Sequence, residues 1–227
     1  MTGQGQERAQ AHAAFIRENT EVVSPPLVPE LRIHMATEVT PLWLATEAEM
    51  ARVNLPPPYW AFAWPGGQAL ARHVLDNPGI VRGRTVLDFA AGSGMLGIAC
   101  VLAGAGRVIA AEIDPIAVSA IALNAAINDV TIEVVSTDLV GDPLDGVDLV
   151  LCGDVCYERP MADRVISWLR PLAADRTVLL GDPGRAYLPD SGLELLARHA
   201  VPTPLDLEDR TVRDTAVWRL LPNQRAG

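Results

Sequence analysis

The sequence predicts an α/β fold: a seven-stranded, mostly parallel sheet that ends in an antiparallel hairpin and is preceded by an N-terminal helical extension. Three observations predict it. From Arg84 onward, short apolar runs alternate with longer helical patterns, which is typical of β-α-β units. A glycine-rich loop separates the first apolar run from its helix. Two further runs joined by a polar turn close the chain, as expected for a hairpin.

Composition limits the class of protein. The chain has 227 residues, of which 49% are hydrophobic and 20% charged, and its formal net charge is −10. This length suits one domain with an extension, and the apolar content excludes a disordered chain. A chain this acidic is a poor general binder of nucleic acid, because phosphate contacts need clustered cationic side chains. Its charge suits a basic protein partner or a cationic ligand.

The N-terminal region, residues 1–58, is predicted to be an extension or lid on the main domain, residues 59–227. An amphipathic pattern from Ala11 to Asn19 predicts a short helix. Prolines interrupt residues 24–29, loose alternation follows in residues 31–39, and an apolar stretch surrounds Trp43.

The main domain alternates strands and helices. We predict strands in RTVLDFA, RVIAAEI, TIEVVS, VDLVLCG and RTVLLGDP, and helices in GMLGIACVLAGAG, PIAVSAIALNAAIND, RPMADRVISWLRPLA and Leu188–His199. The runs LDLED and TVRDTAVWRL are predicted to form the closing hairpin. Such a sheet is buried, with right-handed crossovers that place helices on both faces.

Three cysteines, Cys100, Cys152 and Cys156, show no metal-ligand spacing, and no metal site is predicted. Two of them lie in apolar runs, where cysteine usually behaves as a small buried hydrophobe. The N-terminus has no apolar signal core, and no apolar run reaches the length of a membrane span. The expected compartment is the cytoplasm.

The glycine-rich loop is the segment that indicates a nucleotide-type cofactor. Gly92 and Gly94 follow a strand and precede a helix, so that backbone and helix N–H groups can approach a ligand. The match to G-x-G-x-x-G alone leaves NAD and S-adenosylmethionine (SAM) open. Asp88 favours SAM, because a carboxylate there attracts a cation and repels a pyrophosphate. Glu112, 24 residues further on, suits ribose hydroxyls in either cofactor, and Asp138 suits the adenine amino group.

Several longer segments resemble one family: PPYWAFAWPGGQALARHVLDNP (57–78), EIDPIAVSAIALNAAIN (112–128), LCGDVCYE (151–158) and GDPGRAYLP (181–189). Together with the glycine loop, they are similar to the electron transfer flavoprotein beta subunit lysine methyltransferases, which are class I, seven-β-strand protein lysine methyltransferases. The resemblance spans about residues 27–221. It implies that SAM is the methyl donor, with S-adenosylhomocysteine as product, and that the protein substrate is the flavoprotein beta subunit.

The resemblance also implies residue roles. Asp154 and Tyr157 match an acidic-x-x-aromatic motif that receives the substrate lysine, Glu112 the ribose-binding acid, and Asp138 the adenine-contacting acid. Gly92 and Gly94 match the SAM loop, while Trp64 and Gly66 match a segment that closes over the cofactor. From the residues alone, Asp154 is also consistent with a helix N-cap, and Tyr157 with plain packing.

Other functions remain open from the sequence. Ribosomal-protein methyltransferases share the EIDP and NAAIN runs, so a ribosomal protein or another amine is an alternative substrate. A SAM-binding module without catalysis is a further alternative, and an NAD oxidoreductase is the weakest. Asp182 and Arg185 follow the fifth strand, where they either shape the substrate cleft or pair with each other.

Overall fold

The computed structural model describes residues 3–38, 40, 42, 57–205 and 207–223. Five α-helices are labelled in chain order: α1 (Gly3–Asn19), α2 (Pro65–Asp76), α3 (Met95–Leu102), α4 (Pro115–Ile127) and α5 (Arg159–Leu172). The strands are β1 (Glu21–Val23), β2 (Ile33–Met35), β3 (Thr85–Phe89), β4 (Arg107–Ala111), β5 (Glu133–Val135), β6 (Leu149–Gly153), β7 (Thr177–Asp182), β8 (Leu193–Pro202) and β9 (Val212–Leu220). Short 3₁₀ turns occupy Tyr59–Ala61 and Pro78–Ile80.

The main sheet has seven strands in the order β5-β4-β3-β6-β7-β9-β8. Neighbouring strands from β5 to β7 are parallel, whereas β9 runs antiparallel to both β7 and β8. The predicted fold class is therefore confirmed. The strand order reverses direction between β3 and β6, and open α/β sheets bind ligands at the carboxyl ends of strands beside such a point.

Alternation along the strands divides the core between the two faces of the sheet. In β3, Val86 packs on the face covered by α2 and α3, while Leu87 packs on the face covered by α5. Successive strand residues point to opposite faces, so a continuous apolar strand fills both cores. The parallel strands β3, β4, β6 and β7 are correspondingly buried along almost their whole length.

The prediction of a helix over Leu188–His199 is wrong. Residues Leu193–Pro202 form β8, and their register with β9 runs from Leu193 opposite Leu220 to Pro202 opposite Val212. LELLARHA has good helix formers, but pairing with β9 and the break at Gly192, whose φ is +70°, override that local preference. The described residues of the run LDLED, 205 and 207–209, lie between β8 and β9 and are not in a strand, whereas TVRDTAVWRL contains β9.

The described part of the predicted N-terminal extension contacts helix α4 and contains a small sheet of its own. Helix α1 begins at Gly3, earlier than the predicted Ala11. Its Ile16 is fully buried and belongs to a cluster with Ala117 and Ala120 of α4. The strands β1 and β2 form a small antiparallel sheet. The apolar stretch around Trp43 lies outside the described residues.

Candidate active site

The carboxyl ends of the parallel strands bring several predicted site residues to one edge of the sheet. Glu112 directly follows β4, Asp154 directly follows β6, and Asp182 is the last residue of β7. The glycine loop, residues 90–94, follows β3 at the same edge. This arrangement follows from parallel topology, because every parallel strand presents its carboxyl end to the same side.

The glycine loop turns sharply through left-handed backbone conformations. Gly92 has a φ of +53° and Gly94 a φ of +75°, values that glycine adopts at little cost. Ala90 has a φ of +55° despite its side chain, so this loop carries local strain. A Cβ on Gly92 would meet one neighbour, the Trp60 Cα at 3.7 Å. The loop backbone is thus open to an approaching ligand.

Glu112 is held rigidly beside this loop. Its Oε2 atom accepts a hydrogen bond from the Gly92 N–H at 2.8 Å. Its Oε1 atom accepts from the N–H groups of Ile113 and Asp114, at 2.7 and 3.0 Å. The next side chain, Ile113, is 67% exposed. A fixed carboxylate with spare lone pairs beside an exposed apolar side chain suits a sugar diol and the flat face of a base.

The structure does not place the Asp88 carboxyl on the open edge of the sheet, where the sequence predicts it. Asp88 lies within β3, and alternation turns its side chain beneath α3, where it is 2% exposed. Its Oδ2 atom accepts a hydrogen bond from the Gly97 N–H at 2.9 Å. Burial raises the pKa of Asp88 to about 8. The neutral Asp88 carboxyl therefore binds the first turn of α3, the helix that directly follows the glycine loop.

Asp138 lies three residues after β5 and is exposed. Its Oδ1 atom accepts from the Val140 N–H at 3.0 Å, and its Oδ2 atom pairs with Arg164 of α5 at 2.6 Å. The Val140 N–H and the Arg164 guanidinium lower the pKa of Asp138. The predicted contact with adenine stays a prediction, and it requires this surface ion pair to open or share an oxygen.

Asp154 is a buried carboxylate next to the first turn of α2, at the same edge of the sheet as the glycine loop. It is 8% exposed, and its backbone adopts a φ of +54°. Its Oδ2 atom accepts from the Gly67 N–H at 3.1 Å, and its Oδ1 atom pairs with Arg185 at 3.1 Å. Burial raises the pKa of Asp154 to about 6, against the lowering effect of Arg185. The alternative of a helix N-cap is wrong, because Glu158 occupies the N-cap of α5.

The aromatic side chains of the site form a cluster. Tyr157, 39% exposed, packs against Tyr59 with ring centroids 5.6 Å apart. Trp64 lies 6.1 Å from Tyr59 and 5.8 Å from Phe62, and its Nε1–H donates to the Tyr59 carbonyl. Burial, then Tyr59 and nearby carboxylates, raises the pKa of Tyr157 and keeps its phenol neutral. Tyr157 follows Asp154 by three residues, and aromatic rings are surroundings that a cationic amine favours.

Gly66 lies inside the contact between α2 and the sheet. A Cβ there would come 2.1 Å from the Gly181 carbonyl oxygen and 2.5 Å from Asp154 Oδ2. A Cβ on Gly153 would likewise come 2.8 Å from the Gly67 backbone. The structure therefore gives Gly66 a packing role. Its lack of a side chain allows the N-terminus of α2 to reach Asp154.

The sequence misses one charged residue of the site altogether. Glu208, from the connection between β8 and β9, is 4% exposed and binds Arg185 and Arg213. No motif in the LDLED run indicates this contact. The alternative pairing of Arg185 with Asp182 is absent from the ion pairs of the described residues. Asp182 instead accepts from the N–H groups of Gly184 and Arg185.

Known proteins match this chain over most of its length. The profile of the ribosomal protein L11 methyltransferase (PrmA) family matches residues 69–154. The electron transfer flavoprotein beta subunit lysine methyltransferase of Danio rerio is 39% identical over 213 residues, which cover 90% of this chain and 81% of the relative. The Rattus norvegicus protein of the same name is 36% identical over 220 residues, covering 92% and 84%.

The chain belongs to the electron transfer flavoprotein beta subunit lysine methyltransferase family. Membership of this methyltransferase family confirms the resemblance and the predicted class of enzyme, a SAM-dependent methyltransferase. Among solved structures, the ribosomal protein L11 methylase of Lactobacillus delbrueckii subsp. bulgaricus is 22% identical, with a TM-score of 0.51, and the match covers 71% of this chain and 81% of the other. That likeness concerns the fold.

The residues of the lysine methyltransferase site fit the methyl donor. The open backbone at Gly92 and the fixed Glu112 carboxylate form a cradle at the edge of the sheet, with Ile113 exposed beside it. The donor is a cation, and the acidic groups at this edge provide a matching electrostatic environment. The nine predicted site residues remain predictions in their individual roles. The structure brings Trp64, Glu112, Asp154 and Tyr157 around the glycine loop and α2, whereas Asp138 lies on the surface.

No helix in the described part of the chain is both long and apolar enough to cross a membrane. Within the same residues, no group of three or more histidine, cysteine or acidic side chains is arranged to hold a metal ion.

Proposed function

We propose that this chain is a protein-lysine N-methyltransferase that transfers methyl groups from SAM to lysine side chains of the electron transfer flavoprotein beta subunit. The proposal depends on the position of Asp154 in the structure. It is a buried carboxylate after β6, next to a cluster of aromatic rings and at the same edge as the glycine loop. The names of relatives with 36–39% identity supply the substrate.

When bound, the cofactor supplies an electrophilic methyl group on a sulfonium. The protein must then position a neutral amine, since an ammonium has no lone pair to attack with. A free lysine has a pKa of about 10.4, so removing its proton at pH 7.5 costs about 4 kcal/mol. In our proposal the glycine loop and Glu112 hold the cofactor, and the aromatic cluster excludes water around the amine.

Asp154 orients the amine and does not serve as its final proton acceptor. Its pKa is raised to about 6, and it is therefore ionised at neutral pH. Moving a proton from an ammonium of pKa about 10.4 to this carboxylate is uphill by about 6 kcal/mol. We infer that the carboxylate attracts the ammonium and accepts a hydrogen bond from it. The ammonium then loses its proton to water, which leaves the neutral amine to attack the methyl group. Tyr157 lines the approach with its ring face.

The aromatic segment 59–64, which follows the predicted extension of residues 1–58, acts in this proposal as a lid over the cofactor. Its Trp60 lies within van der Waals distance of the position a Cβ would occupy on Gly92, and the Ala36 N–H donates to the Ala61 carbonyl at 2.8 Å.

We propose the cytoplasm as the compartment. All three cysteines are buried and free, which is compatible with reducing conditions.

A ribosomal protein is the second candidate substrate, because the L11 methyltransferase profile matches residues 69–154. That match is confined to the cofactor-binding half of the domain, which related methyltransferases share whatever their substrate. The matches to the lysine methyltransferases cover 90–92% of the chain and so extend well beyond that half. The flavoprotein subunit is therefore the substrate that the comparisons favour.

The test is incubation of the chain with methyl-labelled SAM and either the purified flavoprotein beta subunit or ribosomal protein L11. The sequence contains no lysine, so every methyl-lysine found by mass spectrometry comes from the substrate. We expect label on lysines of the flavoprotein subunit and its loss with Asp154→Asn. The control Arg219→Gln removes an exposed ion pair with Glu194 and should keep full activity. Label on L11 alone would overturn the proposed substrate.

A further inference from the structure

Arg185 connects the acid of the proposed lysine site to a distant part of the chain. Its Nη2 atom lies 3.1 Å from Asp154 Oδ1 and 2.5 Å from Glu208 Oε1. Its Nη1 atom lies 3.3 Å from Glu208 Oε2, so the guanidinium binds both oxygens of Glu208. Two-point binding of this kind fixes the plane of the guanidinium as well as its position.

Glu208 is itself fixed from the other side. It lies in the connection between β8 and β9, is 4% exposed, and accepts from Arg213 Nε at 2.9 Å. Arg213 belongs to β9 and also pairs with Asp209 at 2.6 Å. Arg185 is therefore held by an anchor that belongs to the C-terminal hairpin and not to the strand ends that form the cofactor edge.

Arg185 also contacts the aromatic cluster. Its guanidinium carbon lies 5.9 Å from the centroid of the Trp64 ring, and its side chain is 20% exposed. Its backbone N–H donates to Asp182 Oδ1 at 2.7 Å. The side chain thus joins the acid, the aromatic wall and the hairpin connection in one network.

We infer that Arg185 is a positioning residue for Asp154, and that Glu208 of the β8–β9 connection keeps Arg185 in that role. The inference deepens the proposed function and depends on it for its catalytic consequence. A fixed cation beside a carboxylate this buried favours its anion and keeps it ionised at neutral pH. Arg185 supplies that cation, and its hydrogen bond to Oδ1 orients the carboxylate while Gly67 binds Oδ2. The unused lone pairs then face the incoming amine.

The charged and titratable groups around Asp154 make the electrostatic effect of Arg185 testable. Besides burial, Asp182 at the end of β7 raises the pKa of Asp154, while Arg185 and the Gly67 N–H of α2 lower it. Cys156, on the same loop as Asp154, has a pKa raised by burial to about 12 and stays neutral. Glu208 approaches from the hairpin. Removing Arg185 therefore leaves Asp154 with acidic neighbours.

The first experiment measures the pKa of Asp154 directly and needs no substrate. Carbon-13 spectra of carboxyl-labelled aspartate give the titration midpoint of Asp154, assigned with Asp154→Asn. Arg185→Met should raise this midpoint by about 1 to 3 pH units, as expected when an arginine next to an aspartate is lost. Arg185→Lys should restore part of the difference, and Arg219→Gln should leave the midpoint unchanged. An unchanged midpoint in a folded Arg185→Met protein would overturn the inference.

Glu208→Gln separates the anchoring role from simple charge. If Glu208 acts only as a neighbouring negative charge, its loss lowers the Asp154 midpoint. If it holds Arg185 in place, its loss raises the midpoint, and the double variant with Arg185→Met matches Arg185→Met alone. A lowered midpoint, or additive effects in the double variant, would overturn the part assigned to Glu208.

The second arm follows methyl transfer to the flavoprotein subunit across pH. Arg185→Met should lower kcat/KM about tenfold at pH 7.5 and recover toward the wild-type value near pH 9, since Asp154 ionises there again. If Arg185 had only a structural role, the loss of kcat/KM in Arg185→Met would not depend on pH. If Arg185 competed with the substrate, the variant would have a lower KM for lysine. Either result contradicts the inference. If no variant methylates this subunit, the proposed substrate fails while the titration arm still tests Arg185. Thermal unfolding confirms that each variant is folded.

Discussion

Asp154 Oδ2 accepts a hydrogen bond from the Gly67 N–H at 3.1 Å, although the two residues are 87 positions apart in the chain. Gly67 lies in the first turn of α2, where N–H groups have no partner within the helix. The bond therefore uses a free helix donor to bind a carboxylate, and the positive end of the helix dipole stabilises its charge. Asp154 adopts its left-handed backbone, with a φ of +54°, in this position.

Replacing Asp154 by asparagine should abolish most methyl transfer without preventing SAM binding. The amide keeps the shape of the side chain but loses the charge that attracts and orients the amine. We expect kcat/KM to fall about 100-fold or more. Isothermal calorimetry should give an unchanged affinity for SAM. Asp214→Asn, which removes an exposed partner of Arg198, is the matched control. Equal activity of the two variants would remove Asp154 from the site.

The pH dependence of the wild-type enzyme should reflect Asp154. Its pKa is raised to about 6, so the active anion is lost as pH falls through about 6. Because attack needs the neutral amine of lysine, kcat/KM already declines about tenfold per pH unit in both proteins. Below pH 6 we expect the decline of the wild type to steepen to about 100-fold per pH unit, and this extra decline to be missing from the residual activity of Asp154→Asn. Initial rates between pH 5 and 8 measure this. A wild-type profile without this bend between pH 5 and 8 would show that Asp154 is not desolvated during catalysis.

Asp88→Asn should make the protein more stable at alkaline pH. Burial raises the pKa of Asp88 to about 8 in the folded chain. The folded state therefore binds the proton more tightly than the unfolded state, and wild-type stability falls as pH rises from about 4 to about 8. An asparagine oxygen can still accept from Gly97 and does not ionise. Thermal unfolding of both proteins at pH 5 and pH 8.5 should show the advantage of the variant only at the higher pH.

The same variant tests the predicted contact between Asp88 and the methyl donor. A neutral carboxyl beneath α3 contributes no charge, so we expect Asp88→Asn to bind SAM within about threefold of the wild type. If Asp88 holds the cofactor as an anion, the affinity of the wild type increases toward pH 8 and the variant loses that increase. Calorimetric titrations at pH 6.5 and 8.5 distinguish the two results.

Gly66→Ala should disrupt both the fold and the site. The added Cβ would come 2.1 Å from the Gly181 carbonyl oxygen, so α2 must move away from the sheet. We expect a loss of about 1–3 kcal/mol in the free energy of unfolding, as for other overpacked cores. Methyl transfer should fall as Gly67 leaves Asp154. Gly79→Ala is the control, because nothing lies within 4 Å of a Cβ there. Similar unfolding midpoints for both variants would contradict the tight contact.

Glu112 and Ile113 should determine the affinity for SAM. Glu112→Gln replaces a charged acceptor by a weaker neutral one, and we expect SAM to bind about 10–100-fold more weakly. Ile113→Ser removes the exposed apolar side chain and should cost about tenfold. Glu133→Gln removes an exposed pair with Arg107 in the same region of the sheet and should leave the affinity unchanged. Unaltered binding in Glu112→Gln would place the cofactor elsewhere.

Local patterns predict most of the sheet because the parallel strands are buried apolar runs bounded by loops. The same patterns fail at Leu193–Pro202, where helix-forming residues are recruited into a strand by pairing with β9. They also place Asp88 at the open edge of the sheet. In the structure β3 continues to Phe89, so Asp88 lies within the strand and its side chain points toward α3. Glu208 leaves no local signal at all, because its importance lies in contacts with Arg185 and Arg213.

The sequence by itself determined the α/β class, the glycine loop after β3 and the acids that follow successive strands. These are properties of neighbouring residues, which periodicity and strand ends encode directly. Only the tertiary structure decided which acids are buried, which are paired and which donor or cation each one meets. Burial and pairing arise between segments far apart in the chain, as where α2 and the β8–β9 connection reach Asp154 through Gly67 and Arg185.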